Sequence, residues 1–324
     1  MDTALFDQEF LRKLESLAFL SRRLYRGQSR GSHLSVRRGT SLDFADFRGY
    51  QPGDDFRTID WGIYGRLDKL VVRLYAEEED LSVHLLLDAS ASMTFGAPPK
   101  IDYARRLAAA LGYVGIGSLD RVGVTTFDAG LAQGSAAALA PRRGRAQLFH
   151  MLEYLSALAP SGPTDIGRSL EEYARRSRSP GLAVVISDLL DDSGGLFGGG
   201  PPGGPHRGPP GGSHGVLEGY RRGLQALAFH DFDVVLVHVL DREEISPGEE
   251  GALRLTDLET GQVLPMHVDR PLLAAYRARL GGFFSQVESF CLKNRIEYLR
   301  AATIVPFEDV VLRYLRQGAH LHAR

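Results

Sequence analysis

The stretch that decides the fold is LSVHLLLDASASM, residues 81–93. Its first half is a mostly apolar run of the length of a fully buried strand. The run ends in Asp88, and two hydroxyls follow at a spacing of two, on Ser90 and Ser92. A carboxylate and hydroxyls at this place predict either the capped turn that often follows a strand or ligands of a hard cation.

Strand-like runs such as 81–88 alternate along the chain with helical patterns. Further apolar runs lie at 121–128, 181–190, 232–241 and 296–302, and helical periodicity at 99–117, 145–158, 165–178, 216–229, 271–294 and 306–317. This alternation predicts an α/β fold: a doubly wound, mostly parallel sheet with helices on both faces. In such sheets ligands bind at the carboxyl ends of the strands, near a topological switch point.

The chain ahead of this pattern has a different character. A helical pattern at 3–26 is followed by a Gly-, Arg- and Asp-rich stretch at 27–60, in which Pro52-Gly53 suits the centre of a type II turn, and by a strand at 68–79. We expect residues 1–78 to form a smaller N-terminal helix and strand region, and residues 79–324 to form the α/β domain.

Two segments interrupt the α/β domain. A hairpin is predicted at 253–268, with its turn at Thr260-Gly261. Residues 193–215 contain eleven glycines and five prolines. Such a composition cannot bury enough apolar surface to order itself, so we predict a flexible insertion there.

Composition and charge limit the possible classes of protein. The chain has 324 residues and a formal net charge of −2, so no global field attracts it to nucleic acid or anionic lipid. The stretch 21–38 is an exception, with six arginines and no acid. It is either a solvated basic face or a docking patch for an acidic partner or nucleic acid.

The predicted location follows from the lone cysteine and from the hydropathy of the chain. Cys291 lies in an apolar helical pattern, which predicts a small core residue and fits a reducing compartment. The N-terminus has no apolar signal region, and no run reaches the roughly 18 apolar residues that span a bilayer. We therefore expect a soluble, cytoplasmic protein.

Further oxygen donors follow other predicted elements. Thr164 lies in SGPTDIG, just before a helix, and Asp188 lies in VVISDLL, at the end of an apolar run. Strand ends of a parallel sheet meet at one edge, so these groups are expected to lie near Asp88. Oxygen donors without His or Cys suit Mg²⁺ or Mn²⁺. The alternative for this loop is that Thr164 or Asp165 caps the helix that follows.

The ordered set of donors resembles the metal-ion-dependent adhesion site (MIDAS) of von Willebrand factor A (vWA) domains. The block RRGTSLDFADFRGYQPGDDFRTIDW at 37–61, followed by a strand and LLLDASASM, is similar to the bacterial DUF58 family. The resemblance implies a vWA-like, Rossmann-type fold and a metal held by Asp88, Ser90, Ser92, Thr164 and Asp188. It also implies protein binding rather than turnover, with a partner's Asp or Glu completing the metal shell and a MoxR-type AAA+ ATPase as the partner.

The sequence offers little support for catalysis. It contains no GxxxxGK[ST], and neither of its two GxSxG matches, at 27–31 and 211–215, follows an apolar strand run as a nucleophile elbow does. The alternative is a Mg²⁺-dependent phosphohydrolase in which Asp88 accepts the phosphoryl group. That chemistry needs a second carboxylate two positions on, where this chain has Ser90, a poor proton-transfer group. The sequence thus favours a non-enzymatic, metal-dependent interaction module.

Two other features have a structural and a functional interpretation. The 37–61 block is either a partner-recognition surface or, as we favour, a turn held by Arg–carboxylate pairs with Trp61 packed beneath it. His84 lies mid-strand among leucines, which is more typical of a core histidine than of a ligand.

Overall fold

The computed structural model describes residues 5–17, 44–75, 81–118, 120–127, 138–163, 165–177, 179–190, 215–248, 250–259, 261 and 263–321. Several predictions fall outside these ranges. They concern the helical pattern beyond residue 17, the arginine-rich stretch at 21–38, the oxygen donor Thr164, the turn residue Thr260, and the insertion at 193–215 apart from Gly215.

The chain forms two compact units. The larger comprises Met1–Arg22 and Leu81–Arg316, and the smaller comprises Arg23–Asp80 and Gln317–Arg324. The larger unit resumes close to the boundary expected after residue 78. The first helix, at 8–17, groups with the larger unit, because Phe10 packs against Phe307 with ring centroids 5.2 Å apart and Lys13 pairs with Glu308.

A six-stranded sheet forms the centre of the larger unit. Its strands are β3 (Ser82–Asp88), β4 (Arg121–Phe127), β5 (Ala138–Arg142), β6 (Leu182–Ser187), β7 (Asp233–Leu240) and β10 (Glu297–Ala302). They lie in the order β10-β7-β6-β3-β4-β5. All neighbours pair in parallel except β5, which runs antiparallel to β4. The predicted α/β fold with a mostly parallel sheet is therefore confirmed.

Helices cover both faces of this sheet. The helices of the described chain are α1 (8–17), α2 (Trp61–Leu67), α3 (Lys100–Gly117), α4 (Arg145–Ala157), α5 (Ile166–Arg176), α6 (Gly215–Phe229), α7 (Arg242–Ile245), α8 (Arg270–Lys293) and α9 (Phe307–Leu321). Residues of α5, α6 and α8 form one core with Val185 and Leu236, whereas α3 and α9 pack against Val184 and Val237 on the opposite face.

The path of the chain creates a switch point beside β3. From β3 the chain crosses through α3 to β4 on one side, and it later returns to β6 on the other side of β3. Leu87 of β3 pairs with Ile186 of β6, so these two strands end level with each other. Their carboxyl ends form the crevice where ligands bind in open parallel sheets.

The buried face of α8 contains Cys291, which is 1% exposed and belongs to the core as predicted. In the part of the chain that the structure describes, no helix has both the length and the apolar character required to cross a bilayer.

Two small sheets accompany the central one. Strands β1 (Phe44–Gly49) and β2 (Val71–Tyr75) pair antiparallel in the smaller unit. Strands β8 (Gly251–Thr256) and β9 (Val263–Val268) form the hairpin predicted at 253–268. The sequence patterns missed β1, β5, α2 and α7, because these elements are short and none of their described side chains is fully buried.

The 37–61 block contains the predicted type II turn. Asp54 N donates to Gln51 O at 3.0 Å, and Gly53 has a φ of 107°, which the third position of this turn requires. Arg48 Nη2 contacts both carboxylate oxygens of Asp54 at 2.9 Å, and Arg73 Nη2 lies 2.6 Å from Asp60 Oδ2. The prediction that Arg–carboxylate pairs hold this block is therefore confirmed.

The predicted position of Trp61 is wrong. Trp61 begins α2 and is 60% exposed, with an edge-on contact to Tyr64 at a centroid distance of 6.1 Å. Asp60 fixes this position because its Oδ1 accepts from Gly62 N and Ile63 N while its Oδ2 binds Arg73. The cap and the ion pair thus hold the helix, and the indole is not packed beneath the turn.

The exposure of Trp61 can be measured directly, because the chain has one tryptophan. We expect the native fluorescence maximum to lie near that of the urea-unfolded protein and iodide to quench the native emission readily. A blue-shifted native maximum that iodide cannot quench would instead place the indole in an apolar environment.

Gly167 sets the distance between α5 and α6. A Cβ atom on Gly167 would lie 2.6 Å from the carbonyl oxygen of Gly219. We expect Gly167→Ala to lower the free energy of unfolding by about 1–3 kcal/mol, since backbone cannot yield as a side chain can. Gly281→Ala in α8 is the matched control. It meets open space and should gain about 0.5–1 kcal/mol from helix propensity. Equal effects in urea titrations would contradict the packing argument.

Candidate metal centre

Strand β3 places Asp88 at the edge of the sheet. All seven residues of β3 are buried, and Asp88 is its last residue, with 0% exposure. The chain turns back at once, so that Ser90 N donates to Asp88 Oδ1 at 3.0 Å. A short 3-10 helix, Ala91–Thr94, then carries Ser92 over the same edge. The opening stretch thus forms a strand followed by a turn that closes on its own carboxylate.

The two serine hydroxyls connect this turn to the loop after β6. Ser90 Oγ lies 2.9 Å from Ser92 Oγ, and Ser92 Oγ donates to Asp188 Oδ2 at 2.8 Å. All three side chains are buried. The predicted convergence of Asp88, Ser90, Ser92 and Asp188 is therefore present as a continuous chain of hydrogen bonds.

The loop after β6 returns a hydrogen bond to Asp88. Ser187 Oγ donates to Asp88 Oδ2 at 2.6 Å and accepts from Leu189 N at 2.9 Å. Leu190 N donates to Asp188 Oδ1 at 3.0 Å. Leu189 adopts a φ of 58°, a costly conformation for a leucine, which turns the chain sharply after Asp188. Each carboxylate is thus oriented by its own backbone and by the other loop.

The loop that carries Thr164 is bonded to the same turn. Ser161 N donates to Ala89 O, and Ala91 N donates to Gly162 O, both at 2.9 Å. Thr164 itself lies outside the described residues, so its role as a ligand stays a prediction. Asp165 is the N-cap of α5, accepting from Arg168 N at 2.8 Å, and this decides between the two caps considered above.

Two buried side chains beside the cluster, Lys100 and His238, were not predicted from the sequence. Lys100 begins α3 and is 0% exposed; its Nζ lies 2.7 Å from Asp188 Oδ2 and 2.5 Å from Glu244 Oε1. The missed signal is its position on the buried stripe of α3, four residues before Ala104 and seven before Leu107. A lysine in an apolar stripe needs a buried partner.

His238 of β7 holds the backbone at Asp188. Its Nε2 lies 3.0 Å from Asp188 O, and its Nδ1 lies 2.9 Å from Tyr298 Oη. Burial lowers the pKa of His238 to about 4, so the ring is neutral at pH 7 and its Nε2–H donates to the carbonyl. His84 is likewise buried, with Nδ1 2.6 Å from Tyr173 Oη, in agreement with the predicted core histidine.

The electrostatics of the cluster favour a cation. Burial, and secondly the charge of Asp188, raise the pKa of Asp88 to about 7. The two carboxylates therefore disfavour joint ionisation unless positive charge lies beside them. Burial opposes charge on Lys100, but Asp188 and Glu244 outweigh it and raise its pKa. Lys100 thus stays protonated and supplies part of this positive charge.

The donor set fits a hard cation. Within the described residues, no group of three or more His, Cys, Asp or Glu side chains is arranged as a metal site. A metal here would therefore need the hydroxyl oxygens of Ser90 and Ser92 in addition to Asp88 and Asp188. Hydroxyl and carboxylate oxygens are donors that Mg²⁺ and Mn²⁺ accept.

Two relatives of this chain come from mycobacteria. Rv1480 of Mycobacterium tuberculosis and Mb1516 of Mycobacterium bovis are each 28% identical over 272 residues, covering 82% of this chain and 76% of theirs. Both carry the description of an uncharacterized protein.

Solved structures show only a distant likeness. BatB from Bacteroides thetaiotaomicron has 16% identity and a TM-score of 0.41, and an aerotolerance-related membrane protein from Bacteroides fragilis has 15% and 0.39; each match covers 74% of this chain and 99% of the other. The pilus adhesin SpaC from Lactobacillus rhamnosus GG has 14% and 0.41, covering 74% and 29%. Such scores carry no argument about function.

The sequence also matches a protein family over most of the length of this chain. The match spans residues 46–280, which include the type II turn, the Asp88 turn and the Asp188 loop. The chain belongs to the family described as protein of unknown function DUF58.

Proposed function

We propose that this protein is a divalent-metal-dependent protein-binding module with a vWA-like fold and a site of the MIDAS type. The observation that carries the proposal is the buried hydrogen-bonded cluster of Asp88, Ser90, Ser92 and Asp188 at the switch point of the sheet. Burying two carboxylates side by side is costly unless a cation accompanies them. Thr164 is the fifth proposed ligand.

The residues of this chain would hold and orient the metal. Ser90 N and Ser187 Oγ each bond one oxygen of Asp88, which fixes the carboxylate plane. Ser92 and Leu190 N do the same for Asp188. Bound Mg²⁺ or Mn²⁺ would supply a coordination position that an outside oxygen ligand can fill. The partner is therefore expected to present an Asp or Glu side chain.

The partner class rests on the family resemblance. A MoxR-type AAA+ ATPase is the proposed partner, with a chaperone-like or assembly role for the pair in the cytoplasm. The loops after β3 and β6 are well suited to capture, since two strand ends and their hydrogen bonds preorganise the donors before any partner arrives.

We also propose that the site binds without turnover. A phosphohydrolase using Asp88 would need an acid or base two residues on, and Ser90 occupies that position. Its hydroxyl lies 2.9 Å from that of Ser92, and a serine hydroxyl is a poor proton donor or acceptor at neutral pH.

The proposal is tested by affinity capture of the whole chain from its source cell, once with Mg²⁺ and once with EDTA, compared by mass spectrometry. We expect an AAA+ ATPase to be enriched with Mg²⁺ and to disappear with EDTA. A set of captured proteins that EDTA does not change would contradict the metal-dependent mechanism. A Mg²⁺-dependent phosphatase activity that Asp88→Asn removes would favour the hydrolase instead.

A further inference from the structure

The Lys100 ammonium contacts Asp188, one of the proposed metal ligands, where its positive charge would repel a bound cation. Asp188 Oδ2 accepts from both Ser92 Oγ at 2.8 Å and Lys100 Nζ at 2.7 Å. A cation held by Ser92 and Asp188 would therefore share the Asp188 carboxylate with the ammonium. Lys100 cannot swing into solvent, because it is fully buried and Nζ lies 5.7 Å from the centre of the Phe95 ring.

Glu244 holds the ammonium from the other side. Its Oε1 lies 2.5 Å from Lys100 Nζ, while its Oε2 accepts from Asp241 N at 2.8 Å in the capping box of α7. Tyr276 Oη donates to Glu244 O at 2.6 Å. Glu244 is thus fixed by side chain and backbone, and its carboxylate competes with Asp188 for one ammonium.

We propose that Lys100 is an internal competitor of the metal for Asp188, and that Glu244 weakens this competition by drawing the ammonium towards itself. The inference rests on the proposed metal site and adds two residues to it. Lys100 and Glu244 are positioning residues, since neither is proposed as a ligand.

The balance of charge agrees with this role. With Asp88, Asp188 and Glu244 ionised, three carboxylates and one ammonium leave two negative charges, which one divalent cation neutralises. Without the charge of Glu244, one negative charge would remain instead of two, and Asp188 would be the only carboxylate that binds the ammonium. Without both Lys100 and Glu244 the charge would match that of the wild type, but no ammonium would compete for Asp188. The two residues therefore have opposite effects on metal affinity.

The experiment is a calorimetric titration of Mn²⁺ into the full chain, in the wild type and in five variants. These are Glu244→Gln, Lys100→Met, the double variant Lys100→Met/Glu244→Gln, Asp88→Asn, which tests the metal site itself, and Glu308→Gln as a control. Glu308 pairs with Lys13, a lysine that is 42% exposed, so its loss should leave Mn²⁺ affinity unchanged. Thermal unfolding without metal measures the stability of each variant separately.

We expect Glu244→Gln to weaken Mn²⁺ binding about tenfold or more, because a charge beside a buried site acts through a low effective dielectric. The double variant Lys100→Met/Glu244→Gln has the wild-type net charge at the site and no competing ammonium. Its Mn²⁺ affinity should therefore equal or exceed that of the wild type. If Lys100 and Glu244 served only to support the fold, all three variants at these two positions would bind Mn²⁺ more weakly, and the double variant most weakly of all.

The outcomes also separate this inference from the proposed function. If the wild type binds Mn²⁺ no better than Asp88→Asn, the metal site itself is absent. If the wild type binds but Glu244→Gln binds equally well, the metal site stands and the competition between Lys100 and the metal is wrong. Should Lys100→Met fail to fold, the comparison of Glu244→Gln with Glu308→Gln still decides.

Discussion

Asp88→Asn is expected to abolish metal-dependent partner capture and to weaken Mn²⁺ binding about 100-fold or more, since even the loss of a residue that only supports a metal ligand costs about 10–100-fold in affinity. Asparagine keeps the volume of the side chain and an oxygen that can accept from Ser90 N, so the variant differs from the wild type mainly in charge. Hydrogen bonds from Ser90 and Ser187 currently orient the carboxylate at a site with 0% exposure. Calorimetry and capture with Mg²⁺ measure the two effects.

The fold should survive this substitution. Burial and the charge of Asp188 raise the pKa of Asp88 to about 7, so at higher pH the ionised form of Asp88 costs stability in the folded state. A neutral amide removes that cost, and we expect the thermal midpoint at pH 8 without metal to be unchanged or higher. Asp309→Asn, at an exposed position of α9, is the control and should retain binding. Full metal-dependent capture by Asp88→Asn would overturn the assignment of Asp88.

The parallel strands and the larger helices were predictable because their sequence patterns reflect burial. Strand β3 is buried on both faces, so its residues form one apolar run, and the charged Asp88 marks the edge of the sheet. The helix at 99–117 was found through its apolar stripe and is observed as Lys100–Gly117. The convergence of Asp88 with Asp188 followed from the rule for strand ends in parallel sheets.

Features that depend on pairing in three dimensions were not predictable. Strand β5 is an antiparallel edge strand of five residues with alternating exposure. It has no apolar run long enough to mark a buried strand in the sequence. Trp61 was expected to pack beneath the turn of the 37–61 block, but the local cap by Asp60 and the ion pair with Arg73 suffice to hold α2. One of the two carboxylate partners of Lys100 is Glu244, which is 144 residues away in the sequence.

The strongest test of the buried ammonium is its removal. We expect Lys100→Ala to lower the free energy of unfolding without metal by about 3–5 kcal/mol, the usual cost of removing one member of a buried ion pair. The loss arises because the carboxylates of Asp188, which is buried, and of Glu244, which is partly buried, would lose their shared cation. Urea titration in EDTA measures it, and Lys13→Ala is the matched control. Lys13 also contacts two carboxylates, on Glu9 and Glu308, but it is 42% exposed and should cost only about 0–1 kcal/mol.

Divalent metal should partly rescue this variant. A bound cation would replace the missing positive charge beside Asp188, so saturating Mg²⁺ is expected to stabilise Lys100→Ala more than it stabilises the wild type. The same titration in urea, repeated with Mg²⁺, measures the difference between the two gains. A loss no larger than that of Lys13→Ala would mean that the carboxylates of Asp188 and Glu244 do not depend on the ammonium. A large loss that Mg²⁺ leaves unchanged would mean that Lys100 supports the fold without sharing its carboxylate with the metal.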